Sequence, residues 1–246
     1  VAADFKPVGV GNRRSEGALT VPENETLQTR ANLMTHHIYA IGDIHGCADK
    51  LRRLIDQLDI DPERDQLVFV GDYIDRGPAA FEVVDYVLGL KTIFRHVVFL
   101  KGNHEQMMED YLAGPDKLTF LINGGQATLD SYLRHRRSPQ APVVPVRHQA
   151  FFKGLRLFYE TENYIFVHAG LKPKVPLAQQ RPSDLLWIRS RFIYSEVDFG
   201  KPVVFGHTPF PEPLVQANKI GIDTGAVYGR QLTCVKLPDL VFFQSA

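Results

Sequence analysis

Five short blocks concentrate the residues able to do chemistry: Gly42-Asp43-Ile44-His45-Gly46, Gly71-Asp72-Tyr73-Ile74-Asp75-Arg76-Gly77, Gly102-Asn103-His104-Glu105, His168-Ala169-Gly170 and Gly206-His207. Asp43 and His45 are two residues apart, so on an extended strand end both side chains point to one side and can grip one ion. The two carboxylate oxygens of Asp72 suit it to bridge a second ion, whose shell Asn103, His168 and His207 would complete. A mixed oxygen and nitrogen donor set without thiolate suits Mn²⁺ first, with Fe or Zn²⁺ as alternatives, over Ca²⁺ or soft metals. Two such ions about 3.5–4 Å apart clamp the attacking and leaving oxygens of an in-line displacement and make hydroxide available at neutral pH.

Each block follows an apolar run that reads as a buried strand: Ile38–Ile41, Leu67–Val70, Val97–Leu100, Tyr164–Val167 and Val203–Phe205. In open α/β sheets, sites form in the crevice beyond the carboxyl ends of the strands. The first three runs are spaced as βαβ units, which implies parallel strands joined by crossover helices. Leu51, Leu54, Ile55 and Leu58 give the first helix one buried face; Phe81, Val84 and Leu88 do so for the second, with Pro78 in its first turn. Met108, Tyr111 and Leu112 mark a third helix, which Gly114-Pro115 ends. Residues 114–154 read as a mostly helical insertion containing Asn123-Gly124-Gly125. Its basic stretch Arg134-His135-Arg136-Arg137 leads into a proline-spaced loop through Pro145, which could contact a phosphorylated partner near the site but reads first as a solvated surface segment. Beyond Leu155 the closely spaced strands suggest an antiparallel second sheet.

Composition adds exclusions. The 246 residues carry 28 basic and 28 acidic side chains, so no global field argues for nucleic acid or an anionic membrane. No apolar run approaches the roughly 20 residues of a membrane span. Cys47 and Cys234 lack zinc-ligand spacing and read as reduced thiols of a cytoplasmic enzyme. Residues 1–36 read as an N-terminal extension lacking periodicity, with Met34 a candidate start and the catalytic domain spanning 37–246. His36, His37, His96, His135 and His148 fit no ligand pattern and are expected at the surface. Nothing in the sequence signals an oligomeric state.

In order and content the five blocks resemble the phosphoprotein phosphatases among the calcineurin-like metallophosphoesterases. The likeness spans roughly 37–238 and is closest to the bacterial and phage lambda branch. Phe205-Gly206-His207-Thr208-Pro209, Ile222-Asp223-Thr224-Gly225-Ala226-Val227 and Trp187-Ile188-Arg189 add to it. The resemblance implies an αββα sandwich, two mixed β-sheets flanked by helices, with Asp43, His45, Asp72, Asn103, His168 and His207 as metal ligands. It also implies a catalytic acid, His104, held by Asp75, and two phosphate clamps, Arg76 and Arg189. A carboxylate accepting from an imidazole fixes its tautomer and favours its protonated form. A guanidinium fork matches two phosphoryl oxygens. His168-Ala169-Gly170 departs from the HGG of eukaryotic members, whose toxin sensitivity and regulatory subunits are therefore not expected here. Tyr228 is expected to pack rather than to serve the site.

The implied activity is a serine/threonine-type phosphomonoesterase acting on a phosphorylated protein or peptide, by direct attack of a metal-bridging hydroxide. The alternative is a symmetrical diadenosine tetraphosphatase, a branch that resembles this family closely but usually carries Ala where Asp75 stands and Asp where Glu105 stands. A third reading, a phosphate-binding scaffold without turnover, requires missing ligands, and none is missing.

Overall fold

The computed structural model describes residues 36–114 and 117–245; Met34 and all but the last residue of the expected extension lie outside them. The first sheet has the order β10-β9-β1-β2-β3. Its parallel core is β1 (Ile38–Ile41), β2 (Gln66–Phe69) and β3 (His96–Phe99), and β9 (Leu232–Leu237) and β10 (Val241–Ser245) join antiparallel. The short strands read as unbroken apolar runs because both faces are covered. Tyr39, Ile41, Leu67 and Phe69 point to the helices, whereas Ala40, Val68 and Val98 point to the second sheet.

Helices α1 (Ala48–Ile55) and α2 (Ala80–Ile93) are the crossovers, and α3 (Asn103–Ala113) follows β3. The first helix buries Leu51, Leu54 and Ile55 as the spacing predicts, with Leu58 just beyond it on the same core. In α2 the buried stripe is Ala80, Val83, Val84, Val87 and Leu90, and Pro78 precedes the helix instead of opening it. In α3 the buried pair is Met107 and Met108, while Leu112 is exposed. Within 114–154 lie α4 (Leu118–Phe120), a π-helical turn (Leu121–Gly125), α5 (Gln126–Arg134) and α6 (Val146–Lys153). Arg136 in the basic stretch turns back onto the carbonyls of Ala141 and Pro139, and Arg137 is exposed.

The second sheet has the order β4-β5-β6-β8-β7. Its strands are β4 (Phe158–Glu160), β5 (Ile165–Val167), β6 (Val203–Phe205), β7 (Leu214–Gln216) and β8 (Lys219–Gly221). The antiparallel expectation fails at its centre: β5, β6 and β8 are parallel, and only the edge strands β4 and β7 run the other way. The long connection from β5 to β6 carries α7 (Pro182–Trp187) and α8 (Ser190–Ile193), which cover the outer face through Leu185, Ile188 and Phe192. Val68, Val98, Phe166, Val204 and Ile220 fill the layer between the sheets. The result is an αββα sandwich of two mixed five-stranded sheets.

Candidate metal centre

The loops after β1, β2 and β3 deliver Asp43, His45, Asp72 and Asn103, and those after β5 and β6 deliver His168 and His207. All six are at most 4% exposed. Turning sharply off β1, β2 and β6 forces unusual backbone. His45, Asp72, Asp75, Arg76 and His207 all have φ between 46° and 71°, five of the seven positive-φ non-glycine residues among the described residues. Strain of this kind persists where surrounding contacts over-determine it, and it gathers at functional sites. Two glycines permit the crowding: a Cβ on Gly206 would lie 2.0 Å from Asp43 Oδ1, and one on Gly102 2.0 Å from Asp72 Oδ1.

The donor atoms form two triads sharing Asp72: His45, Asp72 and His104, and Asp72, His168 and His207, each with atoms within 4.8 Å of one another. Asp72, expected to bridge, is the residue common to both groups. Asp43, expected beside His45, is outside the first triad, and its Oδ2 accepts the His207 N–H at 2.9 Å. His45 Nδ1–H donates to the Ile74 carbonyl (2.8 Å) and His168 Nδ1–H to that of Val70 (3.0 Å), which turns both Nε2 atoms inward. Second-sphere carbonyls fix ligand tautomers in this way.

A cation fits what remains. His168 Nε2 lies 3.0 Å from Asn103 Oδ1 and 3.5 Å from Asp72 Oδ1, and His45 Nε2 lies 3.3 Å from Asp72 Oδ2. These are acceptors facing acceptors, unless a proton or a metal stands between them, and of the two nitrogens only His45 Nε2 has a further donor among the described residues, Arg76. Protons are disfavoured: burial lowers the His168 pKa, holds His45 down at about 3 and, with His168 beside it, takes His207 to about 2. Burial, then Asp223 and Asp72, push Asp43 well above its usual range, the signature of carboxylates crowded without a counter-charge. Burial would raise Asp72 too, but His168, His104 and His45 outweigh it and hold the carboxylate below its usual range. Asp43 Oδ1 and His207 Nε2 are buried without any partner. Imidazoles that burial keeps from protonating, carboxylates crowded against them and orphaned donor atoms suit a hard or borderline divalent ion.

Beside the donors, His104 Nδ1–H donates to Asp75 Oδ2 at 2.7 Å, with both side chains enclosed and His104 Nε2 unpartnered. Arg76 reaches inward and donates to His45 Nε2, and its guanidinium lies 5.7 Å from the Tyr228 ring centroid. Arg189 is exposed and donates to Thr208 Oγ1 at 3.2 Å. Both cations bear on the site electrostatically, Arg76 on Asp43 and Arg189 on His168 and His207.

The sequence model of the family described as "Calcineurin-like phosphoesterase" matches residues 36–243. This chain belongs to the calcineurin-like phosphoesterases. Among curated relatives, it is 33% identical to "Serine/threonine-protein phosphatase 1" of Salmonella typhimurium over 208 residues, 82% of this chain and 92% of that one. It is 28% identical over 230 residues, 84% and 90% of the two chains, to "Bis(5'-nucleosyl)-tetraphosphatase PrpE [asymmetrical]" of Oceanobacillus iheyensis. Solved structures share the fold: a putative diadenosine tetraphosphatase superposes with TM-score 0.66 at 22% identity, covering 86% of this chain and 93% of that one. A cold-active protein tyrosine phosphatase gives 0.60 at 19% identity, covering 85% and 78%.

The parts that several residues play in this phosphoesterase site were not legible in the sequence. Glu105 accepts backbone N–H groups from both the Asp72 and Asn103 loops. Thr128, from α5, binds Asp75. Asp223, known only as part of a matching motif, is a further buried carboxylate, raised to about 6 by burial and Asp72. Two expectations are corrected. His148 is fully enclosed, accepting or donating at Tyr132 Oη and Asp85 because α5, α6 and Phe81 close around it. Tyr228 is 59% exposed and lies under Arg76 at the rim, where Trp187, 43% exposed, also meets His207 edge-on.

Proposed function

We propose that this protein is a metal-dependent phosphomonoesterase of the serine/threonine protein phosphatase type. The observation that carries this reading is the enclosed His104–Asp75 pair, with His104 Nε2 unpartnered beside the shared-carboxylate cluster. Asp43, His45, Asp72, Asn103, His168 and His207 would hold two divalent ions, Mn²⁺ first and Fe or Zn²⁺ as alternatives. When bound, the ions supply positive charge that activates water and stabilises the phosphoryl oxygens.

The remaining work falls to this chain's own groups. Arg76 and Arg189 bind phosphoryl oxygens and stabilise charge that spreads as the phosphorus–oxygen bond lengthens. As the water oxygen bonds to phosphorus, the leaving oxygen departs with the bond's electrons and takes the proton from His104 Nε2. Neutral His104 is left with its Nδ1–H still on Asp75. Such general acid catalysis is typically worth about 10²–10⁴-fold. The free thiols Cys47 and Cys234, both with pKa raised by burial, suit a reducing cytoplasmic setting.

Dinucleoside polyphosphate hydrolysis is the second reading. The tetraphosphatase relatives and the exposed rings of Trp187 and Tyr228, able to stack a base, favour it. Asp75 and Glu105 favour the monoesterase. Mn²⁺-dependent turnover of a phosphoserine/phosphothreonine peptide and of diadenosine tetraphosphate, measured side by side with an Asp75→Asn control, separates the two. The expected result is peptide preference, lost in the control with metal still bound. Dinucleotide preference would place the chain with the nucleotide hydrolases.

A further inference from the structure

The loop carrying Asp75 and Arg76 is held in place by a distant part of the chain. Asp75 has φ 71° and Arg76 φ 67°, two consecutive L-residues in the left-handed region. That conformation survives only where neighbours enforce it. The neighbours come from α5 and the π-helical turn before it. Arg76 N–H donates to the Gly124 carbonyl at 3.1 Å, and Asp75 N–H donates to Thr128 Oγ1 at 2.8 Å. The same hydroxyl donates its own proton to Asp75 Oδ1 at 2.6 Å. Asp75 Oδ2 is left to accept from His104 Nδ1 at 2.7 Å.

A hydroxyl has one proton to give. Within a helix, threonine often gives it to a carbonyl one turn back. Here it goes to a carboxylate 53 positions away in sequence. Thr128, Asp75 and His104 are at most 1% exposed, so water does not substitute for any of the three. With Oδ1 pinned, the carboxylate cannot rotate away from Nδ1, and the imidazole keeps its unpartnered Nε2 in one orientation.

We infer that Thr128 is a positioning residue for leaving-group protonation: its hydroxyl fixes Asp75 and, through Asp75, the His104 Nε2 that meets the leaving oxygen. This rests on the reading of His104 as the proton donor. A hydroxyl that merely filled space would matter equally for every substrate. One that orients the donor matters most where the leaving group needs a proton.

The test compares Mn²⁺-loaded wild type, Thr128→Val and Thr128→Ser on a phosphoserine peptide and on p-nitrophenyl phosphate. The peptide expels an alkoxide, whereas nitrophenolate leaves without help. Thr128→Val is expected to lose about tenfold or more in peptide kcat and less than about threefold on p-nitrophenyl phosphate, with KM unchanged. Thr128→Ser keeps the hydroxyl and is expected to hold the wild-type ratio. In a His104→Asn background, Thr128→Val should add no further loss, since both act through one proton. Equal loss on both substrates, no loss on the peptide, or additivity with His104→Asn overturns the inference. Thr128→Ala, which removes the hydroxyl without new bulk, serves the same comparison if the valine enzyme does not fold. Full peptide turnover by His104→Asn alone would defeat the proton-donor reading itself, a distinct failure.

Discussion

Glu105 is completely enclosed, yet both of its oxygens are occupied by backbone donors. Oε2 accepts from Gly102 (2.8 Å) and Asp72 (3.0 Å), and Oε1 accepts from Tyr73 (2.9 Å) and more weakly from Ile74 (3.4 Å). Burial, then the charge of Asp72, lift its pKa to about 8 against these donors. Glu105→Gln would turn an amide group onto N–H donors, leaving two of them unmatched. A loss of about 1–3 kcal/mol is expected, read as a lower urea midpoint at unchanged m, with weaker Mn²⁺ binding as the Asp72 loop loosens. An unchanged midpoint would show that the loop does not depend on the carboxylate. His148 gives a separate pH test, distant in sequence from the donor cluster. Burial lowers its pKa; Asp85 opposes that and Arg147 adds to it. A lowered folded pKa means the neutral ring contributes stability above the unfolded value of about 6.5, and the contribution fades as pH falls below it. His148→Asn should therefore destabilise more at pH 7.5 than at pH 5.5 in urea titrations, and an equal penalty at both would remove His148 as a titrating contributor.

At the scale of elements, short helices hold the exposed side of the site. Lys219 on β8 is fully buried, and its ammonium donates to the carbonyls of Phe192, Ile193 and Ser195 at the C-terminal end of α8. The N-cap of that helix is Arg189. Burial lowers the lysine pKa, but three carbonyl acceptors and the Phe192 ring 4.9 Å away favour the cation. Lys219→Met strands those carbonyls and should cost about 1–3 kcal/mol while raising KM for phosphoester more than it lowers kcat, because Arg189 loses its support. A stability loss with unchanged KM would confine Lys219 to folding. The α1 stripe is legible from sequence; this lysine and the full stripes of α2 and α3 are not. The α2 sequence is apolar at most positions, so several stripes fit it equally, and Ala80 is too small to mark its own burial. In α3 the choice between Met107 and Leu112 depends on which neighbour covers the helix, a tertiary fact.

For the whole molecule, the candidate donors are legible because strands buried on both faces become unbroken apolar runs, each followed by a residue of a ligand type. The parallel run of β5, β6 and β8 is not, since three-residue strands carry no period. Thr128 was invisible for a related reason: nothing within its own helix signals a partner 53 residues earlier. The ligand placement has a consequence for stability. Asp43, Asp72 and Asn103 hang from one sheet, and His168 and His207 from the other, so ions held as proposed would join the two layers at one edge. A ligand that binds only the folded state at 100 times its Kd adds about 2.7 kcal/mol, and a domain of this size gains about 2–4 °C in Tm for each kcal/mol. Mn²⁺ loading should therefore raise Tm by about 5–10 °C over the chelated protein. Asp43→Asn supplies the sharper half of the test. At pH 7 a carboxylate whose folded pKa is raised costs stability when ionised, and Asp43 is raised by burial, Asp223 and Asp72. Neutralising it should abolish most of the Mn²⁺ shift while leaving the chelated Tm equal to or above that of wild type. His207→Ala should likewise abolish the shift, from the opposite sheet. A chelated Asp43→Asn protein that melts well below chelated wild type would mean that Asp43 serves the fold rather than an ion, and that the crowded carboxylates are not held there for a metal.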